Sequence, residues 1–591
     1  VGAVGDTDLI AGLLDRGHAS VADLVDEVRG TGLLDPDGSL LPIGTTVLRE
    51  IVSADQRAAV FSRLADLRLA RGGVPHEFAL ALLEAGAPGP SVAAALAAAA
   101  DQAEPEVAVR LYGAAADSGH PVDEVRWAEA EALSGALDSA LRRADALVAE
   151  GRVDAARVVA AALAHRGQLA RSAELYLWSG TSAAFAAIGL AGTGRIDAAT
   201  AVLRKETEDT PPTLFSGAVS AMAQGMIDSI GSSFSTALST VVRSAETLEP
   251  VGGTVLLPDS PAALGALLAL HSGAATIAEP LLDRAIAART GGALLLTRHR
   301  LLRVWTAMVR GDAVTLSPDG DLAPRDWLFA VGVEVGAARR GSDLAALRRT
   351  WSQACEAVVR HPVDLFTLLP LGEFAVAAAR IGDRDRLDPH LDQAWELLAE
   401  LGNPPLWTTM LHWSCLHAEI IAEQQTAADG HVAALAANMD LSPFHATMAE
   451  AAQCWRDVLA GTVDAPRVEA AARGLHTAGL RWDGARLAGQ AAIRTADRKA
   501  MVGLLDCARL LQGKGAVIDE GTADRSGMAR ISDRELQVAR LVVDGLTYKQ
   551  IGDRLFISAK TVEHHMARMR SRLGATSRSD LLAQLRALLE D

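Results

Sequence analysis

The chain has 591 residues, half of them hydrophobic, only 4% aromatic, and a formal net charge of −17. Ala and Leu dominate while β-branched runs are sparse, which points to helices rather than sheets. No apolar run of about eighteen residues lacks charge, and Val1–Ile10 has no basic leader, so membrane and exported classes are excluded and a cytoplasmic protein is expected.

The first unit, residues 1–74, starts with helical patterns at Asp8–Leu14 and Val21–Val28. Two short apolar runs in Gly32–Ile43 then flank Asp37-Gly38, a hairpin signal. A helix is expected through Leu48–Arg68. Helices followed by a hairpin suggest a small winged-helix-like unit. It has few basic residues before the hairpin, so its expected role is structural or interdomain.

Residues 75–511 read as helix after helix. Gly151, Gly167, Gly194, Gly273 and Gly382 each open a segment with apolar residues at helical spacing, which places Gly at helix ends. Each helical hairpin has an apolar face that it cannot bury alone, so stacking follows, and Ala lets neighbours approach closely. The spacing is irregular. The pattern is a degenerate repeat array similar to tetratricopeptide solenoids. Glu206–Pro212 and Glu249–Pro261 are expected to be loops. Residues 512–528, rich in Gly, Asp, Ser and Thr, read as a flexible linker before a last unit at 529–591. The fold class is therefore all-α.

Few signals for catalysis or metal binding appear. Cys355, Cys415, Cys454 and Cys507 form no CxxC pair and read as buried free thiols. His412, Cys415 and His417 fall at i, i+3 and i+5 and read as ordinary helix residues. No GxxxxGK[ST], GxSxG or HExxH occurs, so no enzyme activity, cofactor or metal is expected. Gly189–Arg195 (GLAGTGR) has phosphate-loop glycines but lacks the Lys, and reads as a repeat turn. Trp395, Trp407, Trp413 and Trp455 cluster in about sixty residues; they are candidates for stacking a flat ligand, with gap-filling between Ala-rich helices as the plainer reading.

The charge is unevenly spread. From Arg530 to Asp591 there are 11 Lys/Arg against 8 Asp/Glu, leaving 45 against 65 elsewhere, so a tail of +3 follows a body of −20. Such a tail suits a DNA contact confined to one end. Within it, Ser532 and Glu535 form a capping-box pattern, and Leu536, Ala539, Leu541 and Val542 face inward. Gly545 ends that helix. Thr547 caps a second, carrying Ile551 and Leu555, and Ser558 caps a third near Ala559. In the third helix Val562, Met566 and Met569 share one face. Lys560, Thr561, His564, Arg568 and Arg572 lie on or near the opposite face, a geometry suited to the major groove.

This segment resembles the LuxR-type (NarL/FixJ-type) helix-turn-helix family. The residues that carry the resemblance are Ser532, Arg534-Glu535, Val538, Gly545, Lys549-Gln550-Ile551, Leu555, Ile557-Ser558, Thr561-Val562, His565, Leu573-Gly574 and Arg578. The resemblance implies that Ala559–Leu573 is a recognition helix. It also implies that Lys549, Lys560 and Thr561 contact phosphates, that His564 and Arg568 face base edges, and that His565 and Arg572 belong to the same surface. Glu563 replaces the Lys common in the family. A last helix, Ser579–Leu589, would pair two copies on DNA through Leu581, Leu582, Leu585 and Leu589, or close the domain core. The body is similar to that of large ATP-binding LuxR-family regulators, here without the P-loop ATPase that precedes the winged helix; a natural short form is favoured over truncation. The implied function is sequence-specific transcription control. The implied partners are double-stranded DNA, a second copy, and a small-molecule or protein effector on the repeats. The rival is a helical scaffold in which DNA binding is secondary.

Overall fold

The computed structural model describes residues 6–34, 40–209, 213–231, 234–316, 322–512, 533–555, 559–573, 575 and 578–590. Among them the regular elements are helices, joined by one isolated antiparallel bridge between Leu34 and Leu40. None is long and apolar enough to cross a membrane.

The N-terminal unit contains the helices Thr7–Leu14, His18–Gly30, Pro42–Ile51 and Ala54–Ala70. The bridge, together with the 2.9 Å hydrogen bond from Leu41 N–H to the Leu33 carbonyl, forms the base of the expected hairpin. Its Asp37-Gly38 turn lies outside the described residues. The single helix expected through Leu48–Arg68 is two helices. Ser53 breaks it by capping the second: Gln56 N–H donates to Ser53 Oγ and Ser53 N–H donates back to Gln56 Oε1, both at 3.3 Å. That reciprocal pair satisfies donors a continuous helix would use internally, so the chain restarts there.

The repeat region alternates helices and tight turns. In the turn after Ala183–Gly192, Gly194 has φ of +89°, a left-handed conformation that costs glycine little, and the following Arg195 N–H reaches back to the Leu190 carbonyl at 2.9 Å. Small residues also set the spacing between helices. A Cβ on Gly189 would stand 3.0 Å from the Leu169 carbonyl, so that helix pair approaches closer than any larger residue permits. GLAGTGR therefore occupies a helix end and its turn. The helix Ile196–Asp209 runs through Glu206–Asp209, four residues expected in a loop; Glu, Thr and Asp there do not stop a helix, and the two prolines beyond lie outside the described residues. The loop expected at Glu249–Pro261 is present, with a single 3-10 turn at Gly252–Thr254 and a new helix starting at Pro261 behind its cap, Ser260.

The array does not run straight. His165 Nε2 meets the Leu257 carbonyl at 2.8 Å, Arg289 pairs with Glu106, and Arg481 pairs with Asp312 at 2.7 Å. Such contacts tie together turns far apart in sequence. One core runs from Ala160 to Leu504, with smaller cores for residues 65–130 and for the C-terminal unit.

Ion pairs also lie inside the body. Arg298, at 4% exposure, pairs with Asp326 at 2.8 Å and Asp259 at 3.3 Å, and Arg325 pairs with Asp259 at 2.9 Å. Burial alone would raise the Asp259 carboxyl, but the two guanidinium groups outweigh it and hold it below its usual range.

Candidate nucleic-acid interface

The C-terminal unit consists of the helices Asp533–Val543, Tyr548–Leu555, Ala559–Leu573 and Arg578–Glu590. The first helix stops at Gly545, which has φ of +84°. Leu546 N–H donates to the Leu541 carbonyl and Gly545 N–H to that of Val542, both at 3.1 Å, so the last carbonyls are satisfied and the chain turns sharply. Thr547 opens the second helix: its N–H donates to Gln550 Oε1 at 2.9 Å, and Gln550 N–H donates to Thr547 Oγ1 at 3.4 Å. Thr547 was legible as a cap. Its partner Gln550 was missed, although the Thr-x-x-Gln spacing is its signature. Ser532, Ile557 and Ser558 lie outside the described residues.

This short second helix packs on the third. Val562, Met566 and Met569 of the third helix are buried with Val538, Ala539, Val542 and Ile551, so one face of Ala559–Leu573 is anchored. Glu535 is buried as well. Lys549, Lys560 and His564 are exposed, while Thr561 and His565 are half-buried. Arg568 and Arg572 belong to the same helix, with their side chains outside the described set. Glu563 is exposed between Lys560 and His564. The helix is apolar on its inner side, and its exposed first two turns carry Lys560 and His564 at i and i+4, on one strip of the helix.

In the last helix, two of the four leucines expected to pair copies or close the core do the latter. Leu581 and Leu585 are 3% and 1% exposed, because they close the core against the first and third helices, and Leu582 packs on the same core. The Leu589 side chain lies outside the described set. A leucine already buried within its own domain has no apolar area left to bury against a second copy.

The four tryptophans likewise form no common ligand face. Trp407, Trp413 and Trp455 are 0%, 3% and 1% exposed. Trp407 lies against His271 and Phe366, while Trp413 and Trp455 flank the ring of His417. Trp395, half-buried, stacks near His412 and His431 instead. These large rings fill gaps between small-residue helices. The candidate metal trio also separates: His412 Nδ1 meets His431 Nδ1 at 2.9 Å, while His417 Nδ1 donates to the Trp413 carbonyl at 2.8 Å. Burial drives His417 down to about 3, so its ring is neutral and its Nδ1 carries the proton. Cys415 is buried and its thiol is pushed up to about 12.

Comparisons with known proteins agree on this end of the chain. Residues 529–584 match the family described as bacterial regulatory proteins, luxR family. The virulence factors putative positive transcription regulator BvgA of Bordetella pertussis is 36% identical over 64 residues, 11% of this chain and 31% of that protein. The oxygen regulatory protein NreC of Staphylococcus aureus is 37% identical over 65 residues, covering 11% and 30%. The chain thus spans about a third of the length of the curated relatives it matches. Among solved structures, the pentatricopeptide repeat protein PPR10 from maize aligns over 94% of this chain and 99% of its own, at 12% identity and a TM-score of 0.24, a likeness too loose to carry any argument. Sequence and helix order converge, and residues 529–584 form a LuxR-family helix-turn-helix domain of DNA-binding transcription regulators.

Proposed function

We propose that this chain is a sequence-specific transcription regulator that reads DNA through the helix Ala559–Leu573. The observation carrying this reading is the anchored helix itself. Val562, Met566 and Met569 fix it from inside, leaving Lys560 and His564 exposed on one strip. An α-helix presented this way fits the major groove, where a cation positions on phosphate and a ring or guanidinium reaches base edges. Lys549 at the start of the short helix and Thr561 supply further phosphate contacts; His565, Arg568 and Arg572 complete the surface.

One small domain makes few phosphate contacts and binds weakly alone. The protein therefore acts as a dimer or higher oligomer, in which two linked domains gain affinity by effective concentration. Leu581 and Leu585 are committed to the domain core, which leaves Leu582 as the described member of the leucine stripe with surface to offer a second copy. An effector or partner held by the repeat region shifts the assembly, and so the DNA affinity. The protein works in the cytoplasm and catalyses no reaction.

Footprinting on genomic fragments tests the reading. The purified chain protects defined sites, and the double variant His564→Ala with Arg568→Ala loses that selectivity. Equal affinity for all fragments, unchanged in the variant, refutes sequence-specific regulation.

A further inference from the structure

The helix Ala559–Leu573 carries an acid on its outward side. Val562 and Met569 are 0% exposed and Met566 is 4% exposed, so these residues, at i, i+7 and i+4, fix the inner face. At about 100° per residue, the opposite side carries Lys560, Glu563, His564 and Ala567. These fall at i, i+3, i+4 and i+7, one strip of the helix, and all four are exposed.

The helix itself gives Glu563 no partner. Ion pairs along a helix form best from Glu to a Lys or Arg four residues on, and that place is held by Ala567. Lys560 stands three residues before it, in the less favourable order, and among the described residues the Glu563 carboxylate makes no ion pair. The helix dipole favours acids in the first turn, and the first turn here holds none. On DNA the charge becomes costly, since a duplex carries one negative charge per about 1.7 Å of axis and repels a carboxylate entering its groove. A donor on a base edge offsets that repulsion.

The major groove offers two such donors, the N4 amino group of cytosine and the N6 amino group of adenine. Adenine sets an acceptor, N7, beside its amino group, which repels the second carboxylate oxygen; cytosine sets a C–H there. Guanine and thymine meet a carboxylate with acceptors or a methyl group. We infer that Glu563 is a specificity-determining residue that accepts a hydrogen bond from cytosine N4 and so fixes one C·G pair in the DNA site. Discrimination has two sources: the bond made to cytosine, and the unpaired carboxylate left facing guanine or thymine. Ala567, on the same strip, adds no bulk between the carboxylate and the base edges. The inference rests on the regulatory reading above, with Ala559–Leu573 as the reading helix.

Selection of the full chain on double-stranded DNA with a randomised core, followed by competition binding on single-pair changes of the recovered site, tests it. The parent chain is expected to recover a site with a constant C·G pair and to bind it about tenfold or more tighter than versions altered at that pair, the scale of one base-edge contact. Glu563→Ala is expected to lose that preference and keep the others. Glu563→Gln is expected to move it to A·T, since an amide pairs with adenine N6 and N7 together. The position is exposed, and circular dichroism melting checks that both variants remain folded. If both keep the parent's preference at every pair, or gain affinity for all sequences alike, the carboxylate only repels phosphate and the inference is overturned. A parent preference for adenine that Glu563→Ala abolishes overturns the assignment to cytosine. A parent chain that recovers no site refutes the regulatory reading itself, and this inference with it.

Discussion

Trp407 donates its indole N–H to Ser229 Oγ at 3.1 Å, although 178 residues separate them. The bond ties the helix Pro405–Ile421 to the end of Leu214–Asp228, with both side chains fully buried. Trp407→Ala should lower stability by about 3–5 kcal/mol, the usual cost of an emptied core site, and Ser229→Ala by about 1 kcal/mol. Denaturant midpoints measure both. A Trp407→Ala loss below about 1 kcal/mol would mean that the two helices are held by other contacts.

The Asp259 carboxylate serves both Arg298 and Arg325 in a nearly dry site. Asp259→Asn leaves two buried guanidinium groups facing only Asp326. Removing one partner of such a group costs about 3–5 kcal/mol. The expected result is a large drop in thermal midpoint without change in the DNA-binding unit. A variant as stable as the parent would show that water reaches these arginines.

Acid should unfold the body early. His165 and His417 are driven down to about 3 by burial, and His299 and His412 to about 4, from an ordinary 6.5. Their folded values lie below the unfolded one, so the unfolded chain takes up protons first. This contribution to stability is complete above pH 6.5 and is lost as pH falls towards 4. Denaturant midpoints should therefore decline steadily from pH 7 to 5. A flat profile across that window would show that these rings are hydrated in solution.

On DNA, Lys560→Ala should weaken binding to all sequences alike and reduce the slope of log affinity against log salt by about 1, as loss of one phosphate contact requires. His564→Ala should instead change preference at particular base pairs by about 1–3 kcal/mol. Competition binding at several salt concentrations separates the two. If Lys560→Ala altered selectivity and His564→Ala altered only the salt slope, the assigned roles would be exchanged.

Gly545→Ala places a Cβ where φ is +84°. The left-handed cost is about 1–2 kcal/mol. Because the turn orients the second helix and, through it, the third, DNA affinity should fall along with stability. Circular dichroism melting and filter binding on the same variant check this. Affinity retained at full strength would mean that the turn does not set the helix angle.

The C-terminal unit was legible because its signals are local. Gly545, Thr547 and the Val562–Met566–Met569 stripe each act within one or two turns, and the third helix begins at Ala559 as its spacing predicts. What was not legible depends on partners distant in sequence. Leu581 and Leu585 carry the same pattern whether they close a core or join two copies, and only packing against the first and third helices decides. The tryptophans pose the same ambiguity. Arg298, Arg325 and Arg339 sit on amphipathic helices where an arginine normally faces water; the carboxylates that admit them to the interior lie some 30 to 70 residues away. At Ser53 the capping signal was present in the sequence, and the apolar period across it concealed the break.

A strictly linear repeat protein melts piece by piece, since each unit touches only its neighbours. The pairs Arg481–Asp312 and Trp407–Ser229 link non-adjacent turns of this body. Loosening one turn therefore loosens another a hundred or more residues away. Such a body unfolds in few, broad cooperative steps and tolerates deletion of an internal repeat poorly. The same property spreads a local displacement through the whole frame.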